Sequence, residues 1–226
     1  MVDYKQIYRE QADRYDRMVA CEDYQGNIIW AVLQIRPFPI DTLIDIGAGT
    51  GRMSGLLAPH ARRVFTLDIA EPMLRVAQKN VSSDLLLADN RRLPLATAVA
   101  DVVVAGWSLG HFVSWYPQSW QTEIGYVLAE MQRVVRPGGQ IIILETLGTG
   151  AETPQTPTIG LAAYYNWLQY THGFAYKWIR TDYRFESLNE ADDLTRYFFG
   201  DELGDRIQNE KLLHLPECSG IWWLTA

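Results

Sequence analysis

The order of elements along this chain predicts a doubly wound α/β fold. Three observations carry that prediction. Apolar runs of strand length alternate with segments of three-four apolar spacing between residues 42 and 144. A glycine turn follows the first run directly, and aspartates close the second and third.

Residues 3–20 place Tyr4, Ile7, Tyr8, Ala12, Tyr15, Met18 and Val19 at helical spacing, which predicts one amphipathic helix. A second helix is expected over Asn27–Ile35, stopped by Arg36-Pro37-Phe38-Pro39. Thr42–Ile46 is the first strand, and it enters Gly47-Ala48-Gly49-Thr50-Gly51 and then a helix through Met53, Leu56 and Leu57. Val64–Leu67 is the second strand, ending at Asp68 and followed by a helix over Pro72–Asn80. Leu85–Leu87 is the third, ending at Asp89. Asp101–Ala105 is the fourth, and its unbroken Val102-Val103-Val104 reads as buried on both faces. A long helix carries Trp120, Ile124, Val127, Leu128, Met131, Val134 and Val135, and Pro137-Gly138-Gly139 ends it before the fifth strand, Ile141–Leu144. Alternation of this kind implies right-handed crossovers and a parallel sheet covered on both faces.

Beyond residue 146 the regularity breaks. Thr149–Pro157 reads as a loop, and an aromatic-rich segment runs from Tyr164 to Phe185. Ser187–Phe199 reads as a helix, and Leu212–Leu215, Pro216 and Ile221–Leu224 as an antiparallel hairpin.

The chain has 226 residues and a net charge of −7, a surface that repels phosphate backbones and anionic headgroups, so neither nucleic acid nor a membrane is expected as a partner. Two cysteines stand nearly a chain length apart and no zinc-ligand spacing occurs, so no metal is expected. The first residues contain no apolar leader run and no stretch approaches about 18 apolar residues, which sets a cytoplasmic expectation.

In an open parallel sheet a ligand binds beyond the carboxyl ends of the strands. The glycine turn, Asp68 and Asp89 all fall there. The glycines permit close backbone approach, and an acidic group 21 residues after Gly47 can accept from both hydroxyls of a ribose. A dinucleotide fingerprint needs its third glycine five positions after the first. Here the glycines are 47, 49 and 51 and position 52 is arginine, which disfavours a nicotinamide cofactor.

Taken together, Leu43–Gly51, Asp68 with Ile69–Leu74, Ala88-Asp89-Asn90 with Leu93-Pro94, and Val134–Gly139 closely resemble class I S-adenosylmethionine-dependent methyltransferases. The small-molecule subgroup of the ubiquinone/menaquinone-biosynthesis type is the most similar, and Ala12–Asp16 resembles that subgroup's lid helix. The resemblance implies a Rossmann-like, mostly parallel seven-stranded sheet and a single domain. In it, residues 1–36 would be lid helices, 40–146 the cofactor core, 147–186 an acceptor-binding insertion, and 187–226 the C-terminal helix and hairpin. It also implies roles. The turn of Gly47, Ala48, Gly49 and Gly51 would cradle the methionine portion, with Asp45 ordering it. Asp68 would hold the ribose, Ile69 and Met73 would pack the adenine, and Asp89 and the backbone of Asn90 would meet its edge. The backbone at Trp107 would bind the methionine ammonium.

For the acceptor side, His111 and Glu145 are the candidate catalytic groups, each just past a strand's carboxyl end. Tyr15, Tyr164, Trp167 and Tyr176 are the candidate acceptor wall, because aromatic faces suit an apolar or cationic molecule. Ordinary packing and a dimer interface are the competing readings of that aromatic block. The expected activity is methyl transfer to a small molecule by a monomer or homodimer. A non-catalytic adenosylmethionine-binding protein and, less favoured, an NAD-dependent oxidoreductase stand as alternatives.

Overall fold

A computed structural model describes residues 3–36 and 39–226. The expected stop at Pro37 and Phe38 lies outside the described residues. The elements run α1 (Tyr4–Glu10), α2 (Ala12–Ala20), α3 (Asn27–Ile35), β1 (Ile40–Ile46), α4 (Arg52–Leu57), β2 (Ala61–Asp68), α5 (Glu71–Asn80), β3 (Asp84–Leu87), β4 (Ala100–Gly106), α6 (Gly110–Trp115) and α7 (Trp120–Val134). They continue through β5 (Val135–Thr149), α8 (Ile159–Tyr170), β6 (Ala175–Arg180), β7 (Tyr183–Arg184), α9 (Leu188–Phe199), α10 (Asp201–Glu210), β8 (His214–Leu215) and β9 (Glu217–Thr225).

Seven strands form one sheet in the order β3-β2-β1-β4-β5-β9-β6. The first five are parallel, and β9 runs antiparallel to both β5 and β6. The period-two alternation of each strand feeds two cores. Ile44, Ile46, Val103, Ala105, Ile141 and Ile143 face α6, α7 and α8, while Leu43, Val102, Val104, Ile142 and Leu144 face α3 and α4. Burial on both faces is why these strands read as continuous apolar runs.

Four readings change. The single helix expected over 3–20 is two, broken at Gln11, whose ψ of 35° leaves the helical region. Of the 1–36 segment, α3 buries Ile28, Ala31 and Val32 against the sheet, so only α1 and α2 lie over the cavity described below. Residues 212–224 do not fold on themselves: β8 pairs with β7 in a separate two-stranded sheet, and β9 joins the main sheet. Pro216 separates β8 from β9, and a strand as apolar as Ile221–Leu224 is buried best between β5 and β6.

The aromatic segment of 147–186 is also not one unit. It divides into the crossover helix α8, the edge strand β6 and the short β7. Tyr164 and Tyr165 are core residues, with Tyr165 stacked on Trp222 at 4.6 Å. Helices α9 and α10 with β7 and β8 form a satellite around Leu194, Ile207, Leu215, Tyr183 and Phe185, and α2 joins it through Met18 and Val19. Residues 181–215 and α2 thus make a cap beside the carboxyl edge of the sheet.

Candidate active site

The carboxyl ends of β1, β2 and β4 open into one cavity, roofed by α1, α2 and α6. Its floor is the glycine turn. Gly47, Gly49 and Gly51 have φ of +58°, +57° and +86°, in the left-handed region that side chains resist. At Gly47 a Cβ would come within 2.7 Å of the Ser108 Cβ and 2.9 Å of the Asn90 amide, so the turn depends on glycine sterically as well.

Asp45 is fully buried beneath the turn. Its Oδ2 accepts from the Ser54 backbone N–H at 2.8 Å and from the Ser54 hydroxyl at 2.7 Å, which ties β1 to α4. Burial pushes its carboxyl up to about 7, against the pull of those bonds. Its Oδ1 has no partner.

Asp68 closes β2 with both oxygens engaged. Oδ2 accepts from the Gly49 N–H at 2.8 Å and Oδ1 from the Ala70 N–H at 2.7 Å. Desolvation raises its pKa, and those backbone donors oppose the rise. A carboxylate offers about four lone-pair positions, so the backbone donors of Gly49, Ile69 and Ala70 do not use up its capacity to accept. Ile69 and Met73 line the cavity beyond it, Met73 buried and Ile69 66% exposed. An apolar side chain so bare beside a cavity suits a planar ligand lying over it.

Asp89 and Asn90 line the opposite wall. The Arg91 guanidinium grips Asp89 and holds its carboxyl below the usual range, and a second bond of 2.7 Å ties Arg91 to Glu123. Asn90 packs its amide against the glycine turn, and its Oδ1 is buried without a partner. Trp107 leaves β4 at φ +50°, its N–H donating to the Leu144 carbonyl at 2.7 Å and its indole Nε1 buried without a partner. A bulky residue at such a φ is strained, and strain of this sort gathers at ligand sites.

The roof is aromatic. Tyr8, Tyr15, His111, Phe112, Trp115 and Tyr116 line it. The Tyr8 hydroxyl and His111 Nε2 are 2.7 Å apart, and the imidazole lies parallel to Trp115 at 5.0 Å. Burial drops the His111 pKa to about 4, so the ring is neutral near pH 7.

The other acceptor-side candidates lie elsewhere. Glu145 is buried behind the first turn of α6, accepting from the Gly110 N–H at 2.8 Å and pushed up to about 8 by burial; it does not line the cavity. Tyr164 is a core residue, Trp167 packs edge-on against Trp120 at 5.4 Å, and Tyr176 lies on the edge strand against Trp222. None of the three reaches the cavity, which corrects the expectation that this segment forms the acceptor wall. The crossover helix must cover the sheet, and that takes its aromatic face. Tyr15 does line the site, its ring 3.6 Å from where a Gly49 Cβ would stand. The sequence reading assigned no binding role to Arg52 or Trp115, both lining residues. No group of three or more potential metal ligands occurs among the described residues, and no described helix is long and apolar enough to cross a membrane.

Residues 44–143 match the family described as methyltransferase domain. A malonyl-[acyl-carrier protein] O-methyltransferase of Serratia marcescens is 37% identical over 114 residues, covering 50% of this chain and 41% of its own length. A ubiquinone/menaquinone biosynthesis C-methyltransferase of Cupriavidus metallidurans is 29% identical over 150 residues, covering 62% and 58%. The chain thus spans about half the length of the curated relatives it matches. Among solved structures, a candidate type II methyltransferase from Anaeromyxobacter dehalogenans shares the fold at TM-score 0.60 and 17% identity, over 89% of this chain and 96% of its own. A protein named as the [4+2]-cyclase SpnF does so at TM-score 0.54 and 16% identity, over 88% and 80%. Buried polar atoms without partners on Asp45, Asn90 and Trp107 surround a cavity whose chain segments match that family. Over residues 44–143 the chain therefore matches a methyltransferase domain, and it is similar to the ubiquinone/menaquinone biosynthesis C-methyltransferases.

Proposed function

We propose that this protein transfers the methyl group of S-adenosylmethionine to a small, largely apolar acceptor held under the aromatic roof. The observation that carries the reading is the division of one cavity into two chemistries. Its floor and walls present Asp45, the glycine turn, Asp68 and Asp89, while its roof presents six aromatic rings without net charge. The first set suits the amino acid, ribose and base of a nucleoside cofactor, and the second suits an apolar partner.

When bound, adenosylmethionine supplies an electrophilic methyl group on a sulfonium. The protein's part is placement. Asp68 would accept from the ribose hydroxyls with its remaining acceptor capacity, while the Gly49 and Ala70 N–H groups keep its carboxylate aimed. Ile69 and Met73 would pack the adenine, and Asp89, fixed by Arg91, would accept from its amino group. Holding the acceptor in line with sulfur and methyl can supply much of the rate in such a displacement. Neutral rings tolerate the sulfonium charge without competing as nucleophiles. His111 Nε2 and the Tyr8 hydroxyl are the polar pair on that side, and a neutral imidazole there would orient the acceptor by hydrogen bonding. The net charge of −7 supports a small-molecule acceptor rather than a polyanion.

Incubating the protein with methyl-labelled cofactor and a metabolite extract tests this. Label should pass into an organic-extractable product as demethylated cofactor accumulates in equal amount. Tight binding of the cofactor with no transfer to any fraction would favour a non-catalytic adenosylmethionine-binding protein.

A further inference from the structure

A line of hydroxyl groups leads away from Asp45 across the sheet. The Ser54 hydroxyl donates to Asp45 Oδ2 at 2.7 Å, the Ser54 and Thr66 hydroxyls are 2.7 Å apart, and those of Thr66 and Ser83 are again 2.7 Å apart. Ser54 comes from α4, Thr66 stands abreast of Asp45 on β2, and Ser83 precedes β3. Asp45, Ser54 and Thr66 are buried, and Ser83 is half-buried.

A hydroxyl has one proton to give, and that fixes the direction of the line. Ser54 gives its proton to the carboxylate, so its oxygen accepts from Thr66, and Thr66 in turn accepts from Ser83. All the hydroxyl dipoles thus point toward one buried carboxyl. Donors chained in this way polarise one another and favour the ionised form. Burial and the charge of Asp68 act the other way, and the balance leaves the carboxyl at about 7. The other groups of the cavity that bear charge are Asp89, Arg91 and Arg52, with His111 neutral near pH 7. Arg91 is bound by Asp89 and Glu123, and Arg52 by Glu22 and the face of the Trp107 indole. On its other side, β4 sets the uncharged Val104 abreast of Asp45.

We propose that Thr66 and Ser83, acting through Ser54, are positioning residues that hold Asp45 so that its carboxylate favours the sulfonium of adenosylmethionine over the neutral thioether of the product. This rests on the methyltransferase reading above. The two ligands differ by one methyl group and one positive charge. A positive ligand draws the proton off Asp45 into solvent, and the thioether does not. The cavity then prefers the methyl donor to the spent product near neutral pH and loses that preference in acid.

Titration calorimetry with adenosylmethionine and S-adenosylhomocysteine from pH 5 to 7.5 reads this as the ratio of their dissociation constants. The preference for adenosylmethionine should grow about 5- to 30-fold as pH rises, the size of a single charge–charge interaction partly screened by the protein. Thr66→Val keeps the side chain's shape and removes its hydroxyl, so the half-point of that rise should move up by about 0.5–1 pH unit. Ser83→Ala should move it in the same direction by less. Binding of S-adenosylhomocysteine reports that each variant is folded. Asp45→Asn should abolish the rise, which separates Asp45 from Asp68, whose partners are backbone N–H groups. If Asp45→Asn binds neither ligand, Thr66→Val decides alone. A preference independent of pH, a rise that persists in Asp45→Asn, or a half-point that Thr66→Val leaves in place overturns the proposal. Wild-type protein that binds neither nucleoside overturns the methyltransferase reading itself, and this inference falls with it.

Discussion

Asp68→Asn changes one oxygen to an amide nitrogen and leaves the side chain's shape almost intact. In the native arrangement each carboxylate oxygen accepts one backbone N–H, from Gly49 and from Ala70. The asparagine keeps one acceptor and turns an N–H₂ toward the other donor, so one buried N–H loses its bond and the glycine turn loosens. That costs the ligand-free protein about 1–3 kcal/mol. For the complex, the variant also loses the charge that receives the ribose hydroxyls, worth about 1.5–3 kcal/mol. The dissociation constant for S-adenosylhomocysteine should therefore rise about 10- to 150-fold, at 1.4 kcal/mol per tenfold. Titration calorimetry gives the affinity and urea unfolding gives the stability. An affinity within twofold of wild type, with stability lowered as expected, would show that Asp68 only shapes the turn and does not touch the ligand.

Further outcomes follow from the same geometry. The Glu145 carboxyl, raised from its ordinary value to about 8, binds more protons in the folded state, so its contribution to stability is full below about pH 4.5 and is lost as pH rises through 8. Glu145→Gln should flatten that decline in unfolding experiments between pH 5 and 9, and an unchanged slope would contradict the assignment. His111, depressed to about 4, works the other way: its stabilisation is present above about pH 6.5 and lost as pH falls through 4, so His111→Gln should reduce acid sensitivity. Trp167→Ala should cost about 1–3 kcal/mol of stability, as loss of a half-buried ring packed on the core, while leaving S-adenosylhomocysteine affinity unaltered, and a selective affinity loss would return that residue to the site. Hydrogen exchange over residues 3–20 should slow when S-adenosylhomocysteine is added, because Tyr8 and Tyr15 would close over it; equal rates would make α1 and α2 fixed packing elements.

The gathering of the glycine turn, Asp68 and Asp89 around one cavity was legible because its demands are local. A left-handed turn wants glycine, and a strand's carboxyl end exposes the next side chain, so Gly47, Asp68 and Asp89 could be read by position alone. The aromatic roof depends on which elements meet in space. Tyr164, Trp167 and Tyr176 were dense enough in sequence to suggest a wall, but a crossover helix and an edge strand spend such residues on packing. Arg52 was visible only as a departure from a dinucleotide fingerprint, and nothing in the order of residues shows that Glu22 and Trp107 would hold it. The C-terminal pairing failed for a related reason. Two apolar runs flanking Pro216 look like a hairpin, yet the longer run lowers its exposure further by entering the sheet between β5 and β6.

The account stands most directly on where the nucleoside lies. A crystal structure of the protein with S-adenosylhomocysteine should place the ribose hydroxyls within hydrogen-bonding distance of Asp68, the adenine between Ile69 and Met73 with its amino group toward Asp89, and the sulfur facing Tyr8, His111 and Trp115. A complex with the nucleoside outside this cavity, or inside it with the ribose turned away from Asp68, would contradict the account.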